Sequence, residues 1–263
     1  MAQHEQTRRP VALVTGAASG IGAACARLIM ADGGAELVVV DRDEDGLAAM
    51  VTTLPRPEDA LAIALDVTDE TAWARATVTI EDRCGQLDWV VASAGVSFGA
   101  AITDTRLEDW RRVLAINLDG VFLTLRATLP LIRAGGQGGS VVVISSAAAV
   151  KAEAGVGAYG ASKAGALHLA KVAAIEGAPD RIRVNALLPG GVETPMWRDL
   201  PSFRQLVQEQ GSEQAAFAAL AQRAAPLGRY STAKEIATLV LFLLRDAPTV
   251  TGAALVADSG YTL

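Results

Sequence analysis

Short, continuously apolar runs recur along the chain, and the stretches between them carry apolar residues at helical spacing. Val11-Ala-Leu-Val14, Glu36-Leu-Val-Val-Val40, Ala60 to Leu65, Leu87 to Ala92, Val141-Val-Val-Ile144, Arg181 to Leu187 and Ala253 to Ala257 read as strands. Because these runs do not alternate with polar residues, they fit strands buried on both faces, as in a parallel sheet covered by helices. Helices are expected from the glycine-rich turn after Val14 to about Asp32, from roughly Glu70 to Arg83, and from Ala158 to about Glu176. Two more open on capping-box spacing: Thr105-Arg-Leu-Glu108, continuing to about Ile132, and Thr232-Ala-Lys-Glu235, continuing to Leu244. Strands alternating with helices give the right-handed crossovers of a doubly wound sheet. The expected fold is α/β: one doubly wound, Rossmann-type domain over 10–263, with a seven-stranded parallel sheet flanked by helices on both faces. A loose polar tail over 1–9 precedes it. A mixed stretch at about 193–225, between two proline-bounded ends, has the composition of a substrate lid.

Composition narrows the picture. Of 263 residues, 51% are hydrophobic but only 5% aromatic, so the core must be built mainly from Ala, Val, Leu and Ile. A net charge of -6 with no Lys or Arg cluster on any one element argues against nucleic acid as a partner. No run of about 18 apolar residues exists, and the first ten residues lack the apolar region of a signal peptide, so no membrane partner and a cytoplasmic location are expected. Cys25 and Cys84 fall in helical stretches and, with only His4 and His168 for company, make no metal-ligand spacing. No metal is expected, and both thiols read as buried packing residues.

The chemistry gathers where strands end. Thr15-Gly16-Ala-Ala-Ser19-Gly20-Ile21-Gly22 lies between a strand and a helix, where bare backbone N–H groups and the positive helix end face a phosphate. Its G-x-x-x-G-x-G spacing differs from the commoner G-x-G-x-x-G. Asp41 ends the second strand, about 20 positions beyond the turn, where a carboxylate accepts hydrogen bonds from ribose hydroxyls and repels a 2′-phosphate. Arg42 follows and partly offsets that repulsion, so NAD is favoured over NADP. Asp41-Arg-Asp also suits a helix N-cap, and the two readings are compatible. Asp66, Gly95, Ser146 and Pro189 end further strands and would line the same carboxyl edge of the sheet.

Tyr159 and Lys163 are four apart and share a helix face. A phenol needs roughly 4 kcal/mol of phenolate stabilisation to bring its pKa of about 10 near 7, and a nearby cation can supply it. Tyr159 is therefore a candidate acid/base, tuned by Lys163, with the Ser146 hydroxyl holding the substrate oxygen. By itself a Tyr-x-x-x-Lys pair is more often a packed tyrosine and a solvated lysine. Asn117 interrupts an apolar helical run, so its amide either bonds to neighbouring backbone or serves the site.

Taken together, Thr15-Gly-Ala-Ala-Ser-Gly-Ile-Gly22, Asp66-Val67, Ala94-Gly95, Asn117-Leu-Asp-Gly120, Ile144-Ser-Ser146, Tyr159-Gly-Ala-Ser-Lys163, Pro189-Gly190 and Pro226-Leu-Gly-Arg229 resemble the short-chain dehydrogenase/reductase family, from Val11 to Leu263. That resemblance implies NAD(P)-dependent interconversion of an alcohol and a carbonyl by a tetrad of Asn117, Ser146, Tyr159 and Lys163. It also implies that Lys163 holds the nicotinamide ribose, that Asn117 anchors a relay water, that Asp66 and Val67 flank the adenine, and that Val192 and Thr194 meet the carboxamide. Ser19, Ile21, Ser93, Ala94 and Gly190 join the implied cofactor contacts. A homotetramer packed through the Asn117 and Tyr159 helices is implied as well. Two positions depart from the pattern: Ala92-Ser93-Ala94-Gly95 stands for Asn-Asn-Ala-Gly, and Asp258-Ser259-Gly260 for Asp-Gly-Gly.

Val96, Phe98, Val150, Val156, Met196 and Trp197 form a mostly apolar candidate substrate set with Lys151 and Glu153 nearby, so a hydrophobic secondary alcohol or ketone is expected rather than a polyanion. The rivals are an NADP-dependent carbonyl or 3-oxoacyl thioester reductase, and a non-catalytic dinucleotide sensor or scaffold. A pure sensor has no need of Tyr159 and Lys163.

Overall fold

Side chains of each central strand point alternately to opposite faces, and both faces are apolar. In the computed structural model, which describes residues 8–263, Leu13, Val38, Val90, Val141 and Val184 feed one core and Val14, Val39, Val91, Val142 and Leu187 the other. The strands are β1 (Val11–Thr15), β2 (Glu36–Asp41), β3 (Ala60–Ala64), β4 (Trp89–Ala92), β5 (Gly139–Ile144), β6 (Ile182–Pro189), a short pair β7 (Val192–Glu193) and β8 (Ser231–Thr232), and β9 (Ala254–Ala257). The main sheet has seven parallel strands, as the apolar runs predict, and their order is β3-β2-β1-β4-β5-β6-β9. Its direction of winding reverses between β1 and β4, which opens a crevice at the strands' carboxyl ends.

Helices α1 (Gly20–Ala31), α2 (Glu44–Val51), α3 (Glu70–Cys84), α4 (Leu107–Leu114), α5 (Gly120–Ala134), α6 (Gly157–Gly177), α7 (Pro201–Gln210), α8 (Glu213–Ala224) and α9 (Ala233–Leu241) complete the fold. Residues of α1, α2 and α9 cover one sheet face, and those of α3, α5 and α6 the other. Alanines and glycines let α6 lie close to the sheet, with Ala166, Ala170, Ala173 and Ala174 buried. At 28 residues, Leu107–Ala134 is long and apolar enough to cross a membrane, yet Val121, Leu125, Leu131 and Ile132 bury in the core.

Several boundaries differ from the expectation for physical reasons. The capping box at Thr105 does not form: its hydroxyl donates back to the Ala101 carbonyl (2.9 Å), closing the turn before the helix, and Arg106 becomes the N-cap. The box at Thr232 and Glu235 does form. One π turn, at Ala115–Asp119, joins α4 to α5, and a second, at Phe242–Asp246, ends the helix that α9 begins. Arg183 closes the second by donating to the carbonyls of Leu243, Leu244 and Ala247. Cys25 is buried, but Cys84 is only half-buried, at the end of α3. Of the expected tail, residues 1–7 lie outside the described residues, whereas Arg8 pairs with Asp88 and Arg9 with Glu36 and Asp59. The 193–225 stretch forms a short helical turn, α7 and α8 around a separate aromatic cluster.

Candidate active site

The carboxyl ends of the strands border one cleft of about 1340 Å³, larger than the roughly 300–1,000 Å³ typical of single-ligand pockets. Every cofactor residue expected from the sequence lines it, from Gly16 through Asp41, Asp66, Gly95 and Pro189 to Thr194. So do Ser146, Tyr159, Lys163, Val96, Phe98, Val156, Met196 and Trp197. Val150 does not: it is exposed outside the cleft.

The dinucleotide end is shaped by backbone. Gly16 adopts φ +68°, and a Cβ there would stand 2.8 Å from the Ala94 Cα. At Gly22 a Cβ would stand 2.1 Å from the Gly16 carbonyl oxygen, so only glycine lets the turn fold back onto the start of α1. Ser19 is the N-cap of α1 but makes no side-chain cap bond, which leaves its hydroxyl and the helix's first N–H groups facing the cleft. Asp41 accepts from the Ala18 N–H (3.0 Å) and the Asp43 N–H (3.1 Å), which fixes the carboxylate beside the glycine turn. Asp43 in turn caps α2, as the Asp-Arg-Asp pattern allows. Asp66 is held by the Thr68 N–H and hydroxyl, and Arg42 lines the cleft beside Asp41. These residues fit a dinucleotide: a side-chain-free cradle at a helix N-terminus for the pyrophosphate, and an anchored carboxylate for ribose hydroxyls.

Thr15 is a residue the sequence reading gave no role. Its Oγ1 accepts from the N–H groups of Ser93 (3.0 Å) and Ala94 (3.1 Å), joining β1 to the end of β4 where the usual Asn is replaced by Ser93. The signal was a buried hydroxyl closing an otherwise apolar strand. Asp258 holds the C-terminal turn by accepting from the Gly260 and Thr262 N–H groups, and Ser259 takes the left-handed conformation (φ 57°) in place of glycine.

At the reaction end, Ser146 follows β5 and its oxygen accepts from the Ala148 N–H (3.2 Å). The Ser145 hydroxyl donates to the Lys163 carbonyl (2.8 Å), tying α6 to β5. Lys163 is buried, and its ammonium donates to the Ile144 carbonyl (3.0 Å). The same nitrogen would lie 3.2 Å from a Cβ on Gly95, and Asn117 Oδ1 would lie 3.1 Å from it, so these three residues share one small volume. Asn117 is fully buried in the π turn. Its Oδ1 accepts from the Val96 N–H (2.8 Å), and its amide nitrogen donates to the Val96 carbonyl (3.0 Å) and Ser162 Oγ (3.1 Å). The amide thus pins the loop after β4 to α6 and is spent on the Val96 backbone and the Ser162 hydroxyl, far away in sequence, not on its own helix.

The electrostatics differ from the expected ammonium–phenol contact. Lys163 Nζ is 5.9 Å from the Tyr159 ring centre. Burial pushes the Tyr159 phenol above its ordinary value, countered in part by a hydrogen bond with Ser146. Burial also pushes Lys163 down to about 8. The ammonium is turned towards Ile144, so the phenolate-favouring partner in the protein itself is Ser146.

A family model described as enoyl-(acyl carrier protein) reductase matches residues 16–262. The trans-4-hydroxycyclohexanecarboxylate dehydrogenase of Sinomonas cyclohexanicum is 35% identical, over 98% of this chain and 95% of that one. The NADP-dependent (R)-specific alcohol dehydrogenase of Lentilactobacillus kefiri is 31% identical, over 98% of each. The crystal structure of carveol dehydrogenase from Mycobacterium avium in complex with NAD superposes with a TM-score of 0.90 at 31% identity, covering 97% of this chain and 98% of that one. Similarity of this extent, together with a Ser-Tyr-Lys site on a dinucleotide cleft, has one meaning: the chain is an NAD(P)-binding oxidoreductase of the CH–OH/C=O couple and belongs to the short-chain dehydrogenase/reductase family.

Proposed function

We infer that this protein is an NAD-dependent dehydrogenase that interconverts a hydrophobic secondary alcohol, alicyclic or aliphatic, and its ketone. The observation that carries this reading is the meeting of Ser146, Tyr159 and Lys163 with the apolar Val96, Phe98, Val156, Met196 and Trp197 in one cleft. The relatives that act on hydroxycyclohexanecarboxylate and carveol support an alicyclic substrate.

In the oxidation, Ser146 donates a hydrogen bond to the substrate oxygen and orients the carbinol against Tyr159. Tyr159, as phenolate, accepts the hydroxyl proton, and the same phenol returns it in the reverse direction. Within the protein Ser146 favours the phenolate. When bound, NAD supplies the acceptor for the hydride that leaves the carbinol carbon. Gly16, Gly22 and the start of α1 would hold its pyrophosphate, and Asp41 its adenosine ribose.

NAD rather than NADP is favoured by the Asp41 carboxylate, fixed by the Ala18 and Asp43 N–H groups where a 2′-phosphate would approach. Arg42 beside it, and the NADP-dependent Lentilactobacillus relative, support the second reading. Asp41→Ala should raise the NADP-to-NAD ratio of kcat/KM about tenfold, since removing one half-buried like charge is worth about one pKa unit of interaction. An unchanged ratio would remove Asp41 as the discriminator.

A further inference from the structure

At the substrate end of the cleft a polar cluster interrupts the apolar wall formed by Val96, Phe98, Val156, Met196 and Trp197. Lys151, Glu153, Tyr230 and Tyr261 all line the cavity that holds Ser146 and Tyr159. Lys151 lies just beyond the turn after Ser146, its N–H bonded to the Ala147 carbonyl. Its ammonium donates to the Tyr261 carbonyl and sits 4.2 Å from the centre of the Tyr261 ring. The Tyr261 hydroxyl donates to Glu153 Oε2 (2.7 Å), so the C-terminal turn is clamped across the cleft between a cation and an anion. Tyr230 lines the same cavity from the segment before β8. Its ring packs flat on the Gly191 backbone, where a Cβ would stand 2.4 Å from it, and stacks on Trp197 with centres 5.7 Å apart.

The capacity of these groups is not used up. Glu153 Oε1 has no donor among the described residues, the Tyr230 hydroxyl has no partner among them, and the Lys151 ammonium keeps donors beyond the one on Tyr261. The charges cancel: one ammonium and one carboxylate flank the same ring. An anion placed here meets Glu153, a cation meets Lys151, and a purely apolar group leaves the remaining Lys151 donors and the second Glu153 oxygen unused. A neutral hydroxyl or keto oxygen, which both donates and accepts or accepts alone, suits the set.

We propose that Lys151, Glu153, Tyr230 and Tyr261 form a net-neutral polar subsite that binds a second, uncharged oxygen function of the substrate, remote from the carbon being oxidised, so that diols and hydroxyketones are preferred over simple secondary alcohols. The proposal rests on the dehydrogenase reading of the same cleft and adds the part of the substrate that the reaction leaves unchanged. Tyr261 is the specificity-determining residue, because Lys151 and Glu153 both hold it.

The test is a matched set of ligands, cyclohexanol, cyclohexane-1,4-diol and 4-hydroxycyclohexanecarboxylate, on the full-length enzyme. Dissociation constants are measured calorimetrically on the NADH complex, and kcat/KM is measured with NAD. The subsite predicts that the diol binds about 5- to 20-fold more tightly than cyclohexanol, as one or two added hydrogen bonds require, and that it also exceeds the carboxylate. Tyr261→Phe and Glu153→Ala, made separately, should each bring the diol-to-cyclohexanol ratio of dissociation constants towards one. Equal binding of the diol and cyclohexanol by the unaltered enzyme, a preference for the carboxylate, or a ratio unmoved by both substitutions would overturn the subsite. A diol preference in binding without turnover of any of the three would uphold the subsite and contradict the assigned reaction.

Discussion

Tyr159 and Lys163 occupy the first two turns of α6, and their protonation is set by what surrounds them. Lys163 has 4% of its surface exposed and a pKa lowered from its ordinary 10.5 to about 8, which corresponds to about 3 kcal/mol of unfavourable burial for the cation. For a base whose folded pKa is depressed, that cost is fully present below the folded value and disappears above the unfolded one. Lys163→Met should therefore raise the thermal midpoint of the nucleotide-free protein by a few degrees near neutral pH. The unaltered protein should then gain on the variant as pH rises from about 8 towards 10.5. A variant less stable than the parent at every pH would show that the bond to the Ile144 carbonyl outweighs desolvation. Function is then maintained at a cost in stability, as active sites commonly require. That Tyr159 and Lys163 share one face of α6 was readable from their spacing, since four residues is about one helical turn. The direction of the ammonium was not, because the Ile144 carbonyl that captures it belongs to β5, and nothing in the local sequence of α6 announces that neighbour.

The turn between β1 and α1 shows how an element imposes a residue. Its close approach leaves no room at Gly22, where a Cβ would overlap the Gly16 carbonyl at 2.1 Å, and backbone cannot give way as a flexible side chain can. Gly22→Ala should cost about 1–3 kcal/mol of stability and weaken NAD binding at least about tenfold by displacing the cradle. Gly34→Ala, where φ is +67° but nothing lies within 4 Å, should cost only about 1 kcal/mol and leave NAD affinity unchanged. Differential scanning calorimetry with NAD titration separates the two, and equal effects would place the constraint in backbone dihedrals alone. Strands and helices here were legible because apolar runs and helical spacing are local signals. The π turn at Ala115–Asp119 was not. It is held by bonds from Asn117 to Val96 and Ser162, partners 21 and 45 residues away in sequence. The unformed box at Thr105 failed for a related reason, since the preceding turn offered its hydroxyl a carbonyl first.

At the scale of the whole molecule, a seven-stranded sheet with two apolar faces accounts for the composition: little aromatic content is needed where small residues let helices lie close. Aromatics gather instead in the separate cluster around α7 and α8, where Trp197, Phe203, Phe217 and Tyr230 stand 4.7–5.8 Å apart, ring to ring. Trp197 is anchored by its indole N–H on the Val192 carbonyl (2.8 Å), which links that cluster to the cleft. Leu107, Trp110, Phe122, Val172 and Ile175, on α4, α5 and α6, remain exposed, Ile175 to 76%. We propose that these helices pack between subunits of a homotetramer, since apolar faces of this kind are covered in assembled proteins. Analytical ultracentrifugation should show a tetramer that Phe122→Glu with Ile175→Glu reduces to smaller species; a monomeric parent would contradict the assembly. The candidate site was legible as a set because each strand end carries a small or polar residue. The polar cluster of Tyr230 and Tyr261 was not, because the fold alone brings both to the cleft that holds Ser146. The most direct test of the whole account is NADH formation from an alicyclic secondary alcohol by the parent enzyme and by Tyr159→Phe, with NAD affinity measured on both. The account predicts that the substitution lowers kcat about 10²–10⁴-fold while the dissociation constant for NAD stays within about twofold, whereas a variant that still turns over at the parent's rate would contradict it.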